Sequence, residues 1–360
     1  MNNNHYVAIM AGGIGSRFWP VSRTRLPKQF LDILNTGQTL LQSTYNRFAS
    51  MVPASNIFVI TFEEYAGLVQ EQLPQLPAEN ILREPSRKST APCVAYMAFK
   101  LMARNPQSAF IVSPADHLVL DQQAFQEKCT TALDFVENHR ALVTLGIQPT
   151  YPNTGYGYIQ YEPEPVADNV YPVRTFTEKP NLELAKTFIA SGDFLWNAGI
   201  FVWKTADILA EFEQHLPEMH EAFIAEKEHF DTPAENEALQ RIYPQCGNLS
   251  IDYGIMEHAE NVYIIPSAIG WSDLGTWNSA YDSMDKDYFG NAIHGKNYLM
   301  IDANRNLVHV PNHKMVVLQG LDDCVVVDTQ DVLLICRKDR EQEIKDYMAE
   351  VKKQKGDRYL

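Results

Sequence analysis

The sequence predicts an α/β fold in which a mostly parallel sheet is flanked by helices and followed by a small all-β region with a terminal helix. Two observations support this prediction. Apolar, strand-like runs alternate with amphipathic stretches through the first third of the chain, and short β-like runs recur at spacings near nine residues beyond Asn291. The 360 residues are 45% hydrophobic and 21% charged, which is ordinary for a globular protein with a sizeable core.

The first third of the chain supplies the parallel sheet. Strands are expected at Tyr6–Met10, Ile57–Ile60, Ile81–Leu82, Ala109–Val112 and Ala141–Leu145. Helices with apolar residues three and four positions apart are expected between them, at Leu40–Met51, Glu63–Leu73, Ala91–Ala103 and Asp121–Asn138. Repeated βαβ units of this kind predict a Rossmann-like sheet with helices on both faces.

The pattern becomes mixed from Thr150 to Ala280, and we interpret this segment as a continuation of one domain over residues 1–280. Its expected strands are Gly157–Tyr161, Arg174–Thr177 and Gly199–Trp203, and its expected helices are Leu182–Ser191 and Ala206–His215. Residues 281–360 are predicted to form a β-rich domain with strands Tyr298–Ile301, Leu307–Val310, Met315–Leu318, Cys324–Val327 and Val332–Cys336. In its closing helix, Glu341 precedes Lys345 by four residues, the spacing of a helical ion pair.

Charge and cysteine content exclude several classes of function. The formal net charge is −15, which argues against a nucleic-acid partner or an anionic membrane surface, because both require clustered Lys and Arg. The five cysteines are an odd number without a C-x-x-C pair, so cytosolic thiols are expected rather than disulfides or a zinc site. The start resembles no signal peptide and no apolar run reaches membrane-spanning length, which predicts a soluble, cytoplasmic protein.

A glycine-rich segment follows the first expected strand. Gly12, Gly13 and Gly15 lie within Ala11–Arg17, where glycines let backbone N–H groups approach a phosphate. The alternative is a tight strand-to-helix turn. Residues 14–29 then contain four cations and no acid, in a chain with a large negative charge, and such a cluster suits a polyphosphate. These cations are Arg17, Arg23, Arg25 and Lys28; for Arg23 and Arg25 a solvated basic face is the favoured interpretation.

Polar segments also follow the third and fourth expected strands, where ligands of open α/β sheets bind. Glu84 is placed to accept a hydrogen bond from a base N–H, and Ser89 and Thr90 to cap the next helix. Asp116 is a candidate Mg²⁺ ligand because that hard ion prefers carboxylate oxygen. The alternative for a single Asp in this position is a turn or cap residue.

Four further segments combine polar side chains with tight backbone. Asn153–Tyr158 places glycines beside aromatic residues, as a sugar-binding segment or a hairpin would. In Phe176–Pro180, Glu178 and Lys179 are neighbours; on a strand they would point to opposite sides and serve different ligand groups, or form an exposed, idle pair. Trp196–Ile200 and Gly270–Thr276 each hold one polar side chain among small and aromatic residues, and each alone would be read as a turn.

In this order, the segments resemble those of nucleotidyltransferases that join a sugar 1-phosphate to a nucleoside triphosphate, and most closely the mannose-1-phosphate guanylyltransferases. The matching pieces, within residues 7–277, are AGGIGSRFWPVSR, PKQF, EPSRKSTAP, SPADH, NTGYGYI, FTEKP, WNAGIF, LSIDYGIMEH and GWSDLGTW. The resemblance implies a nucleotidyltransferase fold, similar to glycosyltransferase-A folds. Some relatives carry a fused isomerase domain, and the roughly 80 residues after Ala280 predict a form without it.

The resemblance also implies roles for individual residues. The nucleotide would be bound by Ala11, Gly12, Gly13, Gly15, Ser16, Arg17, Lys28, Glu84, Pro85, Lys88, Ser89, Thr90, Ala91 and Asp116. The sugar phosphate would be bound by Gly157, Tyr158, Glu178, Lys179, Asn197, Ala198 and Gly199. Asp116 and Asp273 would hold Mg²⁺, and together with Arg17, Lys28 and Lys179 they form the expected catalytic set. Lys88–Ser89 replaces the Arg-Asn usual in the family, and this removes a bidentate contact because Lys is a point charge.

The implied reaction makes GDP-mannose and pyrophosphate from GTP and mannose 1-phosphate. The sugar phosphate would attack the α-phosphorus in line, with Mg²⁺ bridging the reacting phosphates and Arg17 and Lys28 stabilising the pyrophosphate. One alternative is a related enzyme with another sugar or base, such as heptose or glucose. The other is a non-catalytic regulatory subunit that binds GDP-mannose, which should lack one of the five catalytic residues. A homodimer with its contact at the β-rich domain is a further expectation from the resemblance.

Overall fold

A computed structural model describes residues 2–360 and divides the chain into two compact units. The first unit contains the residues up to 12 together with 44–115 and 119–271, and the second contains 13–43, 116–118 and 272–360. The second unit therefore joins the glycine segment to the C-terminal part of the chain, a division that differs from the predicted boundary at residue 280. No helix among the described residues is both long and apolar enough to span a membrane.

A nine-stranded sheet forms the centre of the first unit. Its strands are β1 (His5–Met10), β2 (Ile57–Phe62), β3 (Ile81–Glu84), β4 (Ala109–Pro114), β6 (Leu142–Ile147), β7 (Tyr158–Tyr161), β8 (Tyr171–Thr177), β9 (Phe194–Lys204) and β10 (Val262–Pro266). Their order is β3-β2-β1-β4-β9-β6-β10-β8-β7. The two-residue strands β5 (Leu118–Val119) and β11 (Trp271–Ser272) lie where the chain passes from one unit to the other.

The expected parallel sheet is confirmed in the half formed by β3, β2, β1 and β4. Every residue of β2 is buried, as expected for a strand covered on both faces, and its sequence is apolar except for Thr61. The other half is mixed, because β9 runs antiparallel to both β4 and β6. Except for β6, which was expected among the parallel strands, the strands of this half come from the segment beyond residue 150, where the βαβ alternation is lost.

Helices α2 to α8 belong to the first unit, whereas α1 begins in the second unit and ends in the first. Their bounds are α1 (Leu40–Ala49), α2 (Ala66–Gln72), α3 (Thr90–Arg104), α4 (Gln122–Asn138), α5 (Leu182–Ser191), α6 (Thr205–His215), α7 (Pro217–Ile224) and α8 (Glu235–Ile242). Local signals set several ends: the Asp121 side chain accepts from the Ala124 N–H at the start of α4, and Gly192 ends α5 in the left-handed conformation. The predicted helix Glu63–Leu73 begins instead with a 3₁₀ turn, Glu63–Tyr65.

The C-terminal strands of the second unit form the predicted all-β region. They are β12 (Ala292–His294), β13 (Tyr298–Ile301), β14 (Leu307–His309), β15 (Val316–Gln319), β16 (Cys324–Asp328) and β17 (Leu333–Arg337). β12, β14 and β16 pair in parallel, β13 pairs in parallel with β15, and β17 is antiparallel to β16. From β12 to β16, successive strands therefore belong to different sheets and strands two positions apart are neighbours, whereas β17 pairs with the strand directly before it.

One apolar core joins the early and late parts of the second unit. Phe18 lies against Trp277 with ring centroids 4.8 Å apart, and both belong to a buried cluster with Leu307, Val325 and Ile344. The remaining helices of this unit are α9 (Trp277–Ser283), which starts with a Thr276–Ser279 capping box, and α10 (Ile344–Lys355). Residues 13–43 thus pack on the C-terminal strands and helices. Segments on either side of the boundary predicted at residue 280 therefore share one core.

Candidate active site

The glycine segment leaves a row of backbone donors free in the second unit. None of the N–H groups from Gly13 to Arg17 donates a hydrogen bond to an acceptor among residues 2–360. The Ile14 carbonyl, by contrast, accepts from the Lys28 N–H at 3.3 Å and from the Ser22 hydroxyl at 2.6 Å. The carbonyl therefore anchors the loop, and consecutive free N–H groups of this kind suit an anion.

Gly15 is required by both conformation and packing. Its φ is +69°, and a Cβ at this position would overlap the Cβ of Lys28. Only glycine meets both conditions without strain. Gly15 therefore brings the loop into direct contact with the lysine that follows it.

Lys28 connects the loop to both candidate metal ligands. Its side chain is only 4% exposed, and Nζ lies 2.9 Å from Asp116 Oδ2 and donates to the Asp273 carbonyl at 2.8 Å. An ammonium group has three donors, so these contacts leave one for a ligand. The predicted proximity of Lys28, Asp116 and Asp273 is thus found within a single compact unit.

The two carboxylates are held in different ways. Burial favours the neutral form of Asp116, but the Lys28 ammonium and His117 outweigh it and lower the pKa of Asp116, so that it stays ionised. Asp273 Oδ1 accepts from the Gly275 N–H at 3.0 Å, and a Cβ at Gly275 would lie 2.6 Å from Asp273 Oδ2. A tight turn without a side chain at Gly275 therefore fixes the orientation of Asp273.

These groups line a cavity of about 240 Å³. The lining residues are Gly15, Ser16, Arg17, Lys28, Asp116, His117, Asp273, Gly275 and Lys345. The Nε of Arg17 is buried without a hydrogen-bond partner, which is costly for a cation unless a ligand completes the site. His117, Gly275 and Lys345 were not predicted as site residues: no spacing in the sequence connects Lys345 to the glycine loop.

The donor set of the cavity fits a hard divalent cation. No group of three or more His, Cys, Asp or Glu side chains in residues 2–360 is arranged as a metal site. Mg²⁺ is commonly bound by one or two carboxylates together with water and substrate phosphates. Asp116 and Asp273, facing one cavity with free backbone donors, match that requirement.

Arg23 and Arg25 do not belong to the cavity. Arg23 is buried, and its guanidinium forms a bidentate pair with Asp331 at 2.8 and 2.5 Å. The expectation of a solvated face was therefore wrong for Arg23, because a carboxylate from the connection between β16 and β17 balances its charge inside the protein. Arg25 is exposed, as expected.

The other residues predicted to bind the nucleotide lie in the first unit, and several of them already have protein partners. Ala11 donates its N–H to the Ile60 carbonyl at 2.8 Å, so this amide is occupied by the sheet. Glu84 is 4% exposed, and Oε1 accepts from the Tyr243 hydroxyl at 2.8 Å. Burial raises the pKa of Glu84 to about 8, although the Tyr243 hydrogen bond acts in the opposite direction. The contact of Glu84 with a base stays a prediction.

The segment that follows Glu84 is fixed to residues 246–251. Lys88 Nζ donates to the Cys246 carbonyl at 2.8 Å, the Thr90 hydroxyl accepts from the Ile251 N–H at 2.9 Å, and the Ala91 N–H donates to Leu249 at 3.1 Å. The predicted cap was wrong: α3 begins at Thr90, and the Ser89 side chain makes no capping hydrogen bond. Pro85, Lys88 and Ser89 are half-buried, and the hydroxyl of Thr90 serves a long-range contact instead of the helix end.

Glu178 and Lys179, in the first unit, form an ion pair with each other. The expectation that they point to opposite sides was wrong, because β8 ends at Thr177 and Lys179 adopts a left-handed conformation with φ +47°. Glu178 is 8% exposed, whereas the Lys179 side chain is 51% exposed. Lys179 therefore keeps donors available to a ligand.

Gly157 and Asn197 share this region with Glu178. A Cβ at Gly157 would lie 2.5 Å from Glu178 Oε2, so the carboxylate occupies the space that a side chain would take. Asn197 Oδ1 accepts from the Thr144 hydroxyl and the Gly199 N–H, both at 3.0 Å, which fixes the orientation of its amide. Two other predicted residues are fully buried, Tyr158 and Ala198.

Asp252 is the main residue of this region that was not predicted. Its Oδ1 accepts from Asn197 Nδ2 at 2.8 Å. Burial, followed by the charge of Glu178, raises the pKa of Asp252 to about 6. Glu257 accepts from the Glu178 N–H at 2.7 Å, and the Tyr253 hydroxyl donates to the Glu178 carbonyl at 3.3 Å. The motif LSIDYGIMEH, which contains Asp252, Tyr253 and Glu257, supports the family resemblance, but the sequence alone assigns no role to these three residues.

Known protein families match both the N-terminal and the C-terminal part of the chain. The Nucleotidyl transferase family model matches residues 6–288, and a MannoseP isomerase/GMP-like beta-helix domain matches residues 296–351. A putative mannose-1-phosphate guanylyltransferase of Vibrio cholerae is 36% identical over 352 residues, which are 96% of this chain and 74% of that protein. The mannose-1-phosphate guanylyltransferase of Escherichia coli is 34% identical, covering 96% and 73%.

The chain belongs to the mannose-1-phosphate guanylyltransferase family of nucleotidyltransferases. This confirms the resemblance drawn from the ordered motifs. A crystal structure described as a mannose-1-phosphate geranyltransferase from Thermus thermophilus superposes with a TM-score of 0.87 at 30% identity, covering 97% of this chain and 99% of that one. The nucleotidyltransferase fold with a C-terminal β region is thus confirmed for this family member.

Proposed function

We propose that this protein makes GDP-mannose and pyrophosphate from GTP and mannose 1-phosphate. The observation that carries the proposal is the cavity lined by Gly15, Ser16 and Arg17, whose N–H groups are free, together with Lys28, Asp116 and Asp273. A triphosphate needs backbone donors, cations and a metal-binding pair of carboxylates at one place. The names of the relatives supply the sugar and the base.

The nucleotidyl transferase family generally uses a divalent metal, and we infer Mg²⁺ for this chain. Asp116 and Asp273 would hold it, and Lys28 favours that role by keeping Asp116 ionised. When bound, the ion would place positive charge beside the phosphate oxygens, on which negative charge accumulates during the reaction.

The chain's own residues act by positioning and charge. A phosphate oxygen of mannose 1-phosphate attacks the α-phosphorus of GTP in line; the new P–O bond forms as the bond to the β-phosphate oxygen breaks, and pyrophosphate leaves. The attacking oxygen is already anionic, so no general base is required. Arg17 and the remaining donor of Lys28 stabilise negative charge on the leaving group, and the loop N–H groups hold its oxygens.

The sugar phosphate is assigned to the first unit. Lys179, whose side chain is half exposed, is proposed to bind its phosphate, and Glu178 and Asn197 its hydroxyl groups. The hydrogen bonds that already fix Asn197 support this role, because discrimination between sugars depends on polar groups held in one orientation.

Two other functions are separable from this one. A different sugar or base would preserve the cavity and change the contacts of Lys88–Ser89 or of the Asn197 region, where selectivity resides. A non-catalytic GDP-mannose-binding subunit is disfavoured, because Arg17, Lys28, Asp116, Lys179 and Asp273 are all present.

We also propose a homodimer that forms through the β-rich region. Leu299, Ile301 and Val317 lie exposed on the two-stranded sheet of β13 and β15, and Leu333 and Ile335 lie exposed on β17, with exposed fractions of 39–59%. Exposed apolar residues grouped in this way favour an interface. Sedimentation analysis of the wild type and of Leu299→Lys tests the proposal, since a charge in the interface should prevent dimerisation and give a monomer.

We assign the protein to the cytoplasm, where GTP is available and where its five free cysteines would stay reduced.

The deciding experiment measures pyrophosphate release with Mg²⁺ across four nucleoside triphosphates and the 1-phosphates of mannose, glucose and a heptose. We expect one dominant pair, GTP with mannose 1-phosphate. Turnover with another pair would reassign the specificity but keep the chemistry, and tight GDP-mannose binding without turnover would favour the regulatory function.

A further inference from the structure

The C-terminal helix contributes a cation to the phosphate cavity. Lys345, the second residue of α10, lines the same cavity as Arg17, Lys28, Asp116 and Asp273. More than 300 residues separate it from the glycine loop in sequence, but both belong to the second compact unit. The β-rich region therefore supplies part of this site, in addition to its own packing.

Hydrophobic contacts fix the position of α10. Ile344, next to Lys345, is fully buried in the cluster that contains Phe18, and Tyr347 and Met348 pack against the same cluster. Beyond the helix, the Trp19 Nε1–H donates to the Tyr359 carbonyl at 2.7 Å. The helix is therefore anchored on residues that directly follow the glycine loop, and Lys345 is carried with it.

The stability of α10 does not explain why a lysine occupies position 345. The ion pair expected from its spacing to Glu341 is absent: Glu341 lies in a 3₁₀ turn, is buried, and accepts from the Asn278 N–H at 2.7 Å. The Lys345 side chain makes no hydrogen bond or ion pair with any of residues 2–360. A cation in the first turn also lies at the positive end of the helix dipole, where it is disfavoured.

The cations of the cavity differ in their acidic neighbours. Lys28 is paired with Asp116 at 2.9 Å, and the charge of Arg17 acts on the carboxyl of Glu341 without an ion pair. Lys345, like Arg17, has no carboxylate within ion-pair distance among residues 2–360. An exposed, unpaired ammonium beside free backbone N–H groups is positioned for a ligand that is itself strongly negative.

We propose that Lys345 binds the triphosphate of the nucleotide substrate. This inference rests on the proposed function and adds to it that the C-terminal helix completes the phosphate site. Because the contact is to phosphate, it is independent of the base and of the sugar. Lys345 should therefore affect nucleotide and pyrophosphate binding and leave the sugar phosphate unaffected.

The test compares Lys345→Ala and Lys345→Arg with Lys353→Ala, which removes an equal charge from an exposed position of the same helix that does not line the cavity. Loss of one charge-assisted phosphate contact predicts a roughly tenfold or larger rise in KM for GTP in Lys345→Ala. KM for mannose 1-phosphate should change less than about twofold. Lys345→Arg should recover most of the GTP affinity, and Lys353→Ala should match the wild type.

A binding measurement separates this inference from the proposed reaction. Calorimetric titration with inorganic tripolyphosphate and MgCl₂ needs neither base, sugar nor turnover. Lys345→Ala should weaken tripolyphosphate binding by a factor similar to its rise in KM for GTP. If the wild type turns over none of the tested pairs, the proposed function fails while this titration still decides the role of Lys345. Equal affinities of Lys345→Ala and Lys353→Ala for tripolyphosphate would overturn the inference. Thermal unfolding of each variant shows whether a weakened site reflects a damaged fold.

Discussion

Replacing Asp252 by Asn should stabilise the protein in a pH-dependent way. The pKa of Asp252 rises from 3.8 to about 6 because the carboxyl is buried and faces Glu178. At about 1.4 kcal/mol per pKa unit, holding this group ionised in the folded state costs about 2 to 3 kcal/mol. The introduced amide would still accept from Asn197 Nδ2 through its oxygen, so the hydrogen bond at this position is kept.

The direction of this pH dependence follows from the number of protons bound by the folded and unfolded states. Between pH 3.8 and about 6 the folded protein holds a proton on Asp252 that the unfolded chain has lost, so the free energy of unfolding falls as pH rises through this interval. The gain from Asp252→Asn should therefore be complete above about pH 7 and roughly half as large at pH 5.

Urea unfolding of wild type and variant at pH 5 and pH 8 measures both values. Asp285→Asn, at an exposed residue, is the matched control and should show no such trend. A stabilisation that is absent at pH 8, or equal at both pH values, would refute the assigned cause.

Three further changes test the site. Gly15→Ala should cost about 1–2 kcal/mol from its left-handed backbone and displace Lys28, raising KM for GTP more than KM for mannose 1-phosphate in steady-state assays. Asp273→Asn should lower kcat far more than it lowers the melting temperature, and full activity at limiting Mg²⁺ would remove this residue from the metal site. Tyr243→Phe should raise the pKa of Glu84 further and reduce the free energy of unfolding by about 1–3 kcal/mol, measured in urea; an unchanged midpoint would mean that the hydrogen bond contributes nothing.

Periodicity and local composition were sufficient for much of the fold. The closest agreement is α5, Leu182–Ser191, where an Asn cap and a terminating Gly make both ends local properties of the chain. The antiparallel course of β9 was not predicted, because a buried strand has the same apolar pattern in either direction.

For the site, the sequence identified residues close to glycines and strand ends but gave no information on their partners. Lys28 and Asp116 were both expected at the phosphate site, yet their ion pair follows from the folded chain. The same holds for Arg23, whose partner Asp331 is about 300 residues away in sequence. Lys345 was placed in a helical ion pair because the spacing suggested one, and tertiary packing of Glu341 prevented it.

The discontinuous second unit has a consequence for protein synthesis. Residues 13–43 are among the first to leave the ribosome, but the strands and helices on which they pack begin at residue 272. Roughly 230 residues lie between, and at about 5–20 residues per second the early segment waits roughly 10–45 s for its partners. During that interval Phe18 and Trp19 have no core to enter, so the glycine loop should be among the last parts of the protein to resist proteolysis on a translating ribosome.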